Sequence, residues 1–275
     1  MNRSVAVFVG GGLLLGTLGC SRGEAPKDAP PSTPVAKVET REIEYPEGST
    51  PLRGFIAWDA NLQGRRPGVL VVHEWWGHNE HARNQAKRLA EAGYVGLALD
   101  MYGDGKVTTH PDSAQAFMAQ ATSDPAVVAA RFEAALAQLK QDPQVDPDRI
   151  AAIGYCFGGL VVLSMARSGA DLDAVASFHG AIPPPAPVDS GKVKARILIL
   201  TGGADPMVPA EQVETFRKAM EAAGAQVKVV TYPNAKHSFT NPDADRVGMP
   251  GLAYDADVDR QSWEAALELF REAFR

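Results

Sequence analysis

Short apolar runs alternate with stretches of helical spacing through most of the chain. Residues 38–45 and 52–58 read as two opening strands that pair antiparallel. Residues 68–73 form a continuous apolar run closed by His73, the pattern of a strand buried on both faces. Residues 80–92 carry helical spacing and stop at Gly93, and 94–99 read as the next strand. Residues 125–140 form an amphipathic helix with Val128, Phe132, Leu136 and Leu139 on one face and Asp124 as its cap. Further strands are expected at 149–153, 174–178, 196–200 and 226–232, and further helices at 157–167, 211–223 and 258–274. Strands and helices alternating at this spacing predict an α/β protein with a mostly parallel sheet covered on both faces. There is no internal repeat and no interrupting linker, so one domain is expected over 37–275. In such sheets ligands bind beyond the carboxyl ends of the strands, which is where chemistry is to be sought.

The first 36 residues break this pattern. A positive start at Arg3 is followed by an uncharged run over 5–18 and then by Leu18-Gly19-Cys20, the layout of a secretory signal too short for a membrane span. Cys20 gives residues 1–20 the look of a lipoprotein signal, with Cys20 as the lipidated residue; an ordinary secretory signal with an incidental cysteine is the alternative. Residues 21–36 hold prolines at 26, 30, 31 and 34 and no apolar period, and read as a disordered tether. The expected location is therefore outside the cytoplasm, anchored to a membrane through Cys20 or secreted.

Composition narrows the partners. The chain has 27 Lys+Arg against 33 Asp+Glu, a formal charge of −6, with 45% apolar and 22% charged residues. That excludes a wholly disordered chain and offers no basic footprint for nucleic acid. Of two cysteines, one is Cys20, so the folded part contains Cys156 alone and has no disulfide to make.

Cys156 lies in Gly154-Tyr155-Cys156-Phe157-Gly158, between an expected strand and an expected helix. A sharp strand-to-helix turn needs small neighbours, lifts its central side chain clear of the sheet and places it at a helix N-terminus, where negative charge on sulfur is favoured. A lone cysteine is commonly buried and inert; the flanking glycines favour a nucleophile. Asp205, in Gly202-Gly203-Ala204-Asp205-Pro206, and His237, in Lys236-His237-Ser238-Phe239, each follow a later strand. An Asp-Pro turn or a loop histidine means little by itself, but nucleophile, acid and base here follow the chain order of α/β-hydrolases. His237 would take the thiol proton and Asp205 would fix its tautomer. After the first buried strand comes His73-Glu74-Trp75-Trp76-Gly77; the backbone amides of Trp75 and Phe157 are candidates for an oxyanion hole. A metal site built on His73, Glu74, His78 and His81 is the rival reading, but their spacing does not put them on one helix face. His179, ending another strand, is expected to line a substrate pocket.

These segments resemble the dienelactone hydrolase family from about residue 38 to the C-terminus: HEWWG at 73–77, DMYG at 100–103, GYCFGG at 154–159, GGADPMVP at 202–209 and AKHSF at 235–239, in that order. The resemblance implies an α/β-hydrolase fold of about eight strands without a large lid, ester or lactone hydrolysis through an acyl-cysteine, and neither metal nor organic cofactor. It also implies that Glu74 interacts with the resting Cys156 and controls its thiol, and that Tyr102 lines the substrate pocket. One feature departs from the family pattern. Where aromatic-degrading members carry a carboxylate-binding arginine after the catalytic histidine, this chain reads Ser238-Phe239-Thr240-Asn241-Pro242, and its first arginine there is Arg246. An uncharged ester or lactone fits that stretch at least as well as a dienelactone. The expected partner is a small-molecule substrate bound by a monomer. Peptidase or acyl-peptide hydrolase activity, and a tethered binding protein that lost its chemistry, are the competing readings.

Overall fold

The computed structural model describes residues 35–275. The signal expected at 1–20, with Cys20, and all but the last two residues of the tether at 21–36 lie outside the described residues. Eight strands, β1 (Val38–Glu47), β2 (Thr50–Asp59), β3 (Arg66–Val72), β4 (Val95–Leu99), β5 (Val145–Tyr155), β6 (Ala174–Phe178), β7 (Arg196–Gly202) and β8 (Val227–Tyr232), form one sheet in the order β1-β2-β4-β3-β5-β6-β7-β8. The β1–β2 and β2–β4 pairs are antiparallel and all others parallel. The sheet reverses its order of addition about β3, so the end of β3 and the end of β5 flank the crevice where a ligand belongs.

Alternation within the central strands explains why their sequences read as unbroken apolar runs. In β3, Leu70 and Val72 face one core while Val69 and Val71 face the other. In β7, Ile197 and Ile199 oppose Leu198 and Leu200 in the same way. A strand with helices on both sides has no face to leave polar. One face is covered by α1 (Glu80–Glu91) and α6 (Ala256–Ala273), the other by α3 (Pro125–Gln141), α4 (Phe157–Ser168) and α5 (Ala210–Ala222), with α2 (Pro111–Thr122) against α3. Asp124 caps α3 by accepting from the Ala126 amide, as its position predicted.

Two elements differ from the pattern expected of the sequence. α2 was not anticipated: only Ala114 and Ala121 are buried along it, so it lacks the stripe of large apolar side chains that makes a helix visible. β5 begins at Val145 rather than 149, because Val145 and Asp146 pair with Arg66 and Pro67 across a register shift before Gly68. Among the described residues no helix is long and apolar enough to cross a membrane.

Candidate active site

The turn from β5 into α4 is built by close approach. A Cβ on Gly154 would stand 2.1 Å from the Gly158 carbonyl oxygen, and one on Gly158 would stand 2.3 Å from that of Val72. Glycine at both positions lets α4 start directly on the end of the sheet. Cys156 sits between them with φ +54° and ψ −112°, a conformation that costs a non-glycine residue of order 1–3 kcal/mol and persists only where its surroundings enforce it. Here the enforcement is a hydrogen bond donated by the Cys156 backbone N–H to the Phe178 carbonyl, with the Cys156 carbonyl accepting from the amides of Gly159 and Ala181. The thiol is free and partly exposed at the N-terminus of α4.

Asp205 follows β7 and His237 follows β8, and the structure brings them together. His237 Nδ1 lies 2.8 Å from Asp205 Oδ2; the carboxylate can only accept, so Nδ1 donates. Asp205 Oδ1 accepts from the Met207 amide at 2.8 Å. His237 is buried, and its Nε2 has no hydrogen-bond partner of ordinary geometry among the described residues. Burial opposes charge on the imidazole, but the Cys156 sulfur and the Asp205 carboxylate outweigh it and push the pKa up to about 10. The neighbouring residue Ser238 holds φ +58°, so this loop too is backbone-strained at the site.

Trp75 and Phe157, the expected oxyanion donors, follow β3 and β5 respectively, on the two strands that flank the crevice. Neither backbone amide donates to another described group. The Phe157 amide opens α4, where no intrahelical acceptor exists. Tyr102 donates its hydroxyl to the Trp75 carbonyl at 3.0 Å and stacks on Phe157 at 5.5 Å between ring centroids. Burial, and then the charge of Cys156, push its pKa up, which places it beside the nucleophile. Asp100 fixes the loop that carries Tyr102: its carboxylate accepts from the amides of Arg53, Tyr102, Gly103 and Gly105.

Two side chains stand elsewhere than expected. Glu74 is buried and makes no hydrogen bond to Cys156. Its Oε1 accepts from Ser238 Oγ at 2.9 Å and its Oε2 from Asn241 Nδ2 at 2.6 Å. A carboxylate so satisfied inside the protein ties the end of β3 to the loop that carries His237. His179 is wholly buried and is therefore no pocket wall. Its ring meets the His237 ring edge-on at 5.2 Å, its Nε2 bonds Thr240 Oγ1 at 2.8 Å, and its backbone has φ +40°. Burial, then the nearby His237 and His81, hold its pKa well below the ordinary value, so it backs His237 as a neutral ring.

The histidines of the rival metal reading are occupied by the backbone. Met101 N–H donates to His73 Nε2 at 3.2 Å, which leaves Nδ1 to donate to the Glu74 carbonyl. His78 Nε2 donates to the Ala98 carbonyl at 3.0 Å. His81 approaches Glu74 only to 3.9 Å. Among the described residues no three acidic, cysteine or histidine side chains converge as metal ligands. Arg246 is solvent-exposed and paired with Asp243, so it does not supply the arginine missing after His237.

A family model described as the dienelactone hydrolase family matches residues 52–274. The chain belongs to the dienelactone hydrolase family. Protein usf of Aquifex pyrophilus is 30% identical over 238 residues, which covers 84% of this chain and 97% of that relative. The solved structure named m3DLH is 41% identical with a TM-score of 0.82, covering 86% of this chain and 98% of the other. A dienelactone hydrolase-like promiscuous phosphotriesterase from metagenomic libraries is 39% identical with the same TM-score and the same coverage. The protein is thus a hydrolase, on an α/β-hydrolase fold.

In this member of the family the residues that sequence reasoning passed over are those that hold others. Ser238, Thr240 and Asn241 were noted only for what they replace; each bonds a buried side chain, Glu74 or His179. Their signal was a run of polar residues around Phe239, which is itself fully buried.

Proposed function

We propose that this hydrolase cleaves an uncharged ester or lactone through an acyl-cysteine formed on Cys156. The observation that carries the proposal is the His237 imidazole: Nδ1 is fixed by Asp205, while Nε2 is buried and has no group but the Cys156 thiol to interact with. An imidazole held in one tautomer with its second nitrogen free is a proton carrier in waiting.

Cys156 sulfur attacks the ester carbonyl carbon as the thiolate, and the amides of Trp75 and Phe157 take the developing oxyanion. Collapse of the tetrahedral adduct breaks the carbon–oxygen bond, and the His237 imidazolium gives its Nε2 proton to the leaving alkoxide. Water then attacks the thioester, losing a proton to Nε2, and the acid departs as the thiolate is restored. Asp205 remains ionised throughout and keeps the ring oriented. Glu74 braces the His237 loop through Ser238 and Asn241. The export signal and Cys20 anchor are part of the same proposal and rest on residues 1–20 alone; they place the reaction outside the cytoplasm.

Reaction of the purified protein with p-nitrophenyl acetate, followed by intact mass, tests the proposal. A burst with one acetyl group on the wild type, absent from Cys156→Ala and His237→Ala, is expected. Equal reaction by Cys156→Ala, or none by the wild type, would sink it.

A further inference from the structure

The exposure pattern of α4 marks out where the rest of the substrate goes. Between Cys156 and Arg167 every side chain is buried except four: Cys156, Leu160, Ser164 and Arg167. Those positions are spaced four, four and three apart, so they form a single stripe that begins at the nucleophile. From Leu160 onward the stripe is one wall of a cavity of about 800 Å³. Met118 of α2 and Val128 of α3 close it on one side; Ile182 and Val188 close it on the other. The cavity does not include Cys156 itself, but it starts one helical turn away. The residue before Ile182 is Ala181, whose amide donates to the Cys156 carbonyl, so the far wall also begins at the nucleophile.

The segment 182–188 that forms this wall carries four prolines. Proline fixes φ and has no N–H, so such a strap stays extended and folds into neither helix nor sheet. It is pinned by Arg167, whose guanidinium donates to the Pro184 carbonyl at 2.6 Å. Below the stripe, from Cys156 to Ser164, α4 runs about 12 Å at about 1.5 Å per residue.

We infer that this cavity is the acyl-chain site of the enzyme, and that the preferred substrates are esters of medium-length, unbranched, uncharged fatty acids. This rests on Cys156 being the acylated residue. A largely apolar cavity that opens one turn of α4 beyond the nucleophile fits a flexible chain, and its cations, Arg167 and Lys192, stand at the far end of α4, with Arg167 held on the Pro184 carbonyl. Each methylene moved from water into it favours binding by about fourfold.

The test compares kcat/KM for p-nitrophenyl octanoate and p-nitrophenyl acetate, with intact mass reporting the acyl-enzyme from each. The variants are Ser164→Trp and, independently, Val128→Trp, each of which fills the cavity from a different helix. The wild type is expected to prefer octanoate on the order of tenfold or more. In both variants the octanoate-to-acetate ratio should fall on the order of tenfold, with melting temperature checking the fold. A wild type indifferent to chain length, or a preference that survives both variants, would overturn the inference while leaving an acetylated Cys156 intact. Failure of both esters to acylate Cys156 would remove the proposed function and this site with it.

Discussion

Replacing Asp205 by Asn changes one atom, yet both ways of placing the new side chain are costly. Asp205 Oδ1 accepts from the Met207 amide and Oδ2 from His237 Nδ1, each at 2.8 Å. If the Asn carbonyl stays on Met207, its amide faces Nδ1 and donates to it. The imidazole proton is then forced onto Nε2, which can no longer accept from Cys156. If the side chain flips, Nδ1 keeps an acceptor, but the Asn amide faces the Met207 N–H, two donors in a buried place. That mismatch costs about 1–3 kcal/mol. A neutral acceptor in place of the carboxylate loses about another 1–2 kcal/mol against the imidazolium. The sum, about 2–5 kcal/mol, predicts acylation about 30-fold to 5,000-fold slower. The assay is the p-nitrophenol burst on rapid mixing near neutral pH. A second signature follows from charge: without the carboxylate, burial is opposed only by Cys156, so the limb of the pH profile set by His237, near pH 10 in the wild type, moves to lower pH. Acylation within threefold of wild type, with the alkaline limb unmoved, would refute the role assigned to Asp205.

Three further outcomes are expected. Glu74→Ala leaves the Asn241 amide buried without its acceptor and should lower the melting temperature by about 5–10 °C, whereas Glu74→Gln, which can still accept from Asn241 and donate to Ser238, should keep most stability and acylate within about tenfold of wild type. A fully stable but inactive Glu74→Gln would instead restore direct control of the thiol. Gly158→Ala drives a methyl to 2.3 Å from the Val72 carbonyl and should cost on the order of 4 kcal/mol or more in chemical denaturation, against about 1 kcal/mol for Gly191→Ala, which has φ +74° but open space around it. The imidazole pKa of His237 is raised from 6.5 to about 10 by folding, so its ion pairing stabilises fully below pH 6.5 and is lost as pH rises through about 10. The melting temperature of the wild type relative to His237→Gln should therefore shrink across that interval; a difference that grows would mean the sign is wrong.

Much of this protein is written locally. The buried strands announce themselves because a strand covered on both faces must be apolar at every position, as 69–72 are. The turn at Cys156 is visible because only glycine fits at 154 and 158, where backbone meets backbone. The order of Cys156, Asp205 and His237 is visible because each follows a strand, and a parallel sheet brings all strand ends to one edge. Helix α2 escaped for the converse reason, since its two large apolar side chains, Phe117 and Met118, are adjacent and only partly buried and form no stripe.

What the sequence could not determine is which polar groups satisfy one another once buried. Glu74 and Ser238 are 164 positions apart, and a carboxylate taken out of water bonds whatever donors the fold presents. The fold presents Ser238 and Asn241, so Glu74 became a brace. His179 likewise reads as a strand-end residue on a crevice, and only packing beneath His237 makes it interior. The stripe on α4 has the same origin. Its spacing is present in the sequence, but that it lines a cavity depends on α2, α3 and the proline strap standing away from it. Periodicity fixes the faces of each element because it is a property of one segment; what each face meets is a property of distant segments together, and only the tertiary structure decides it.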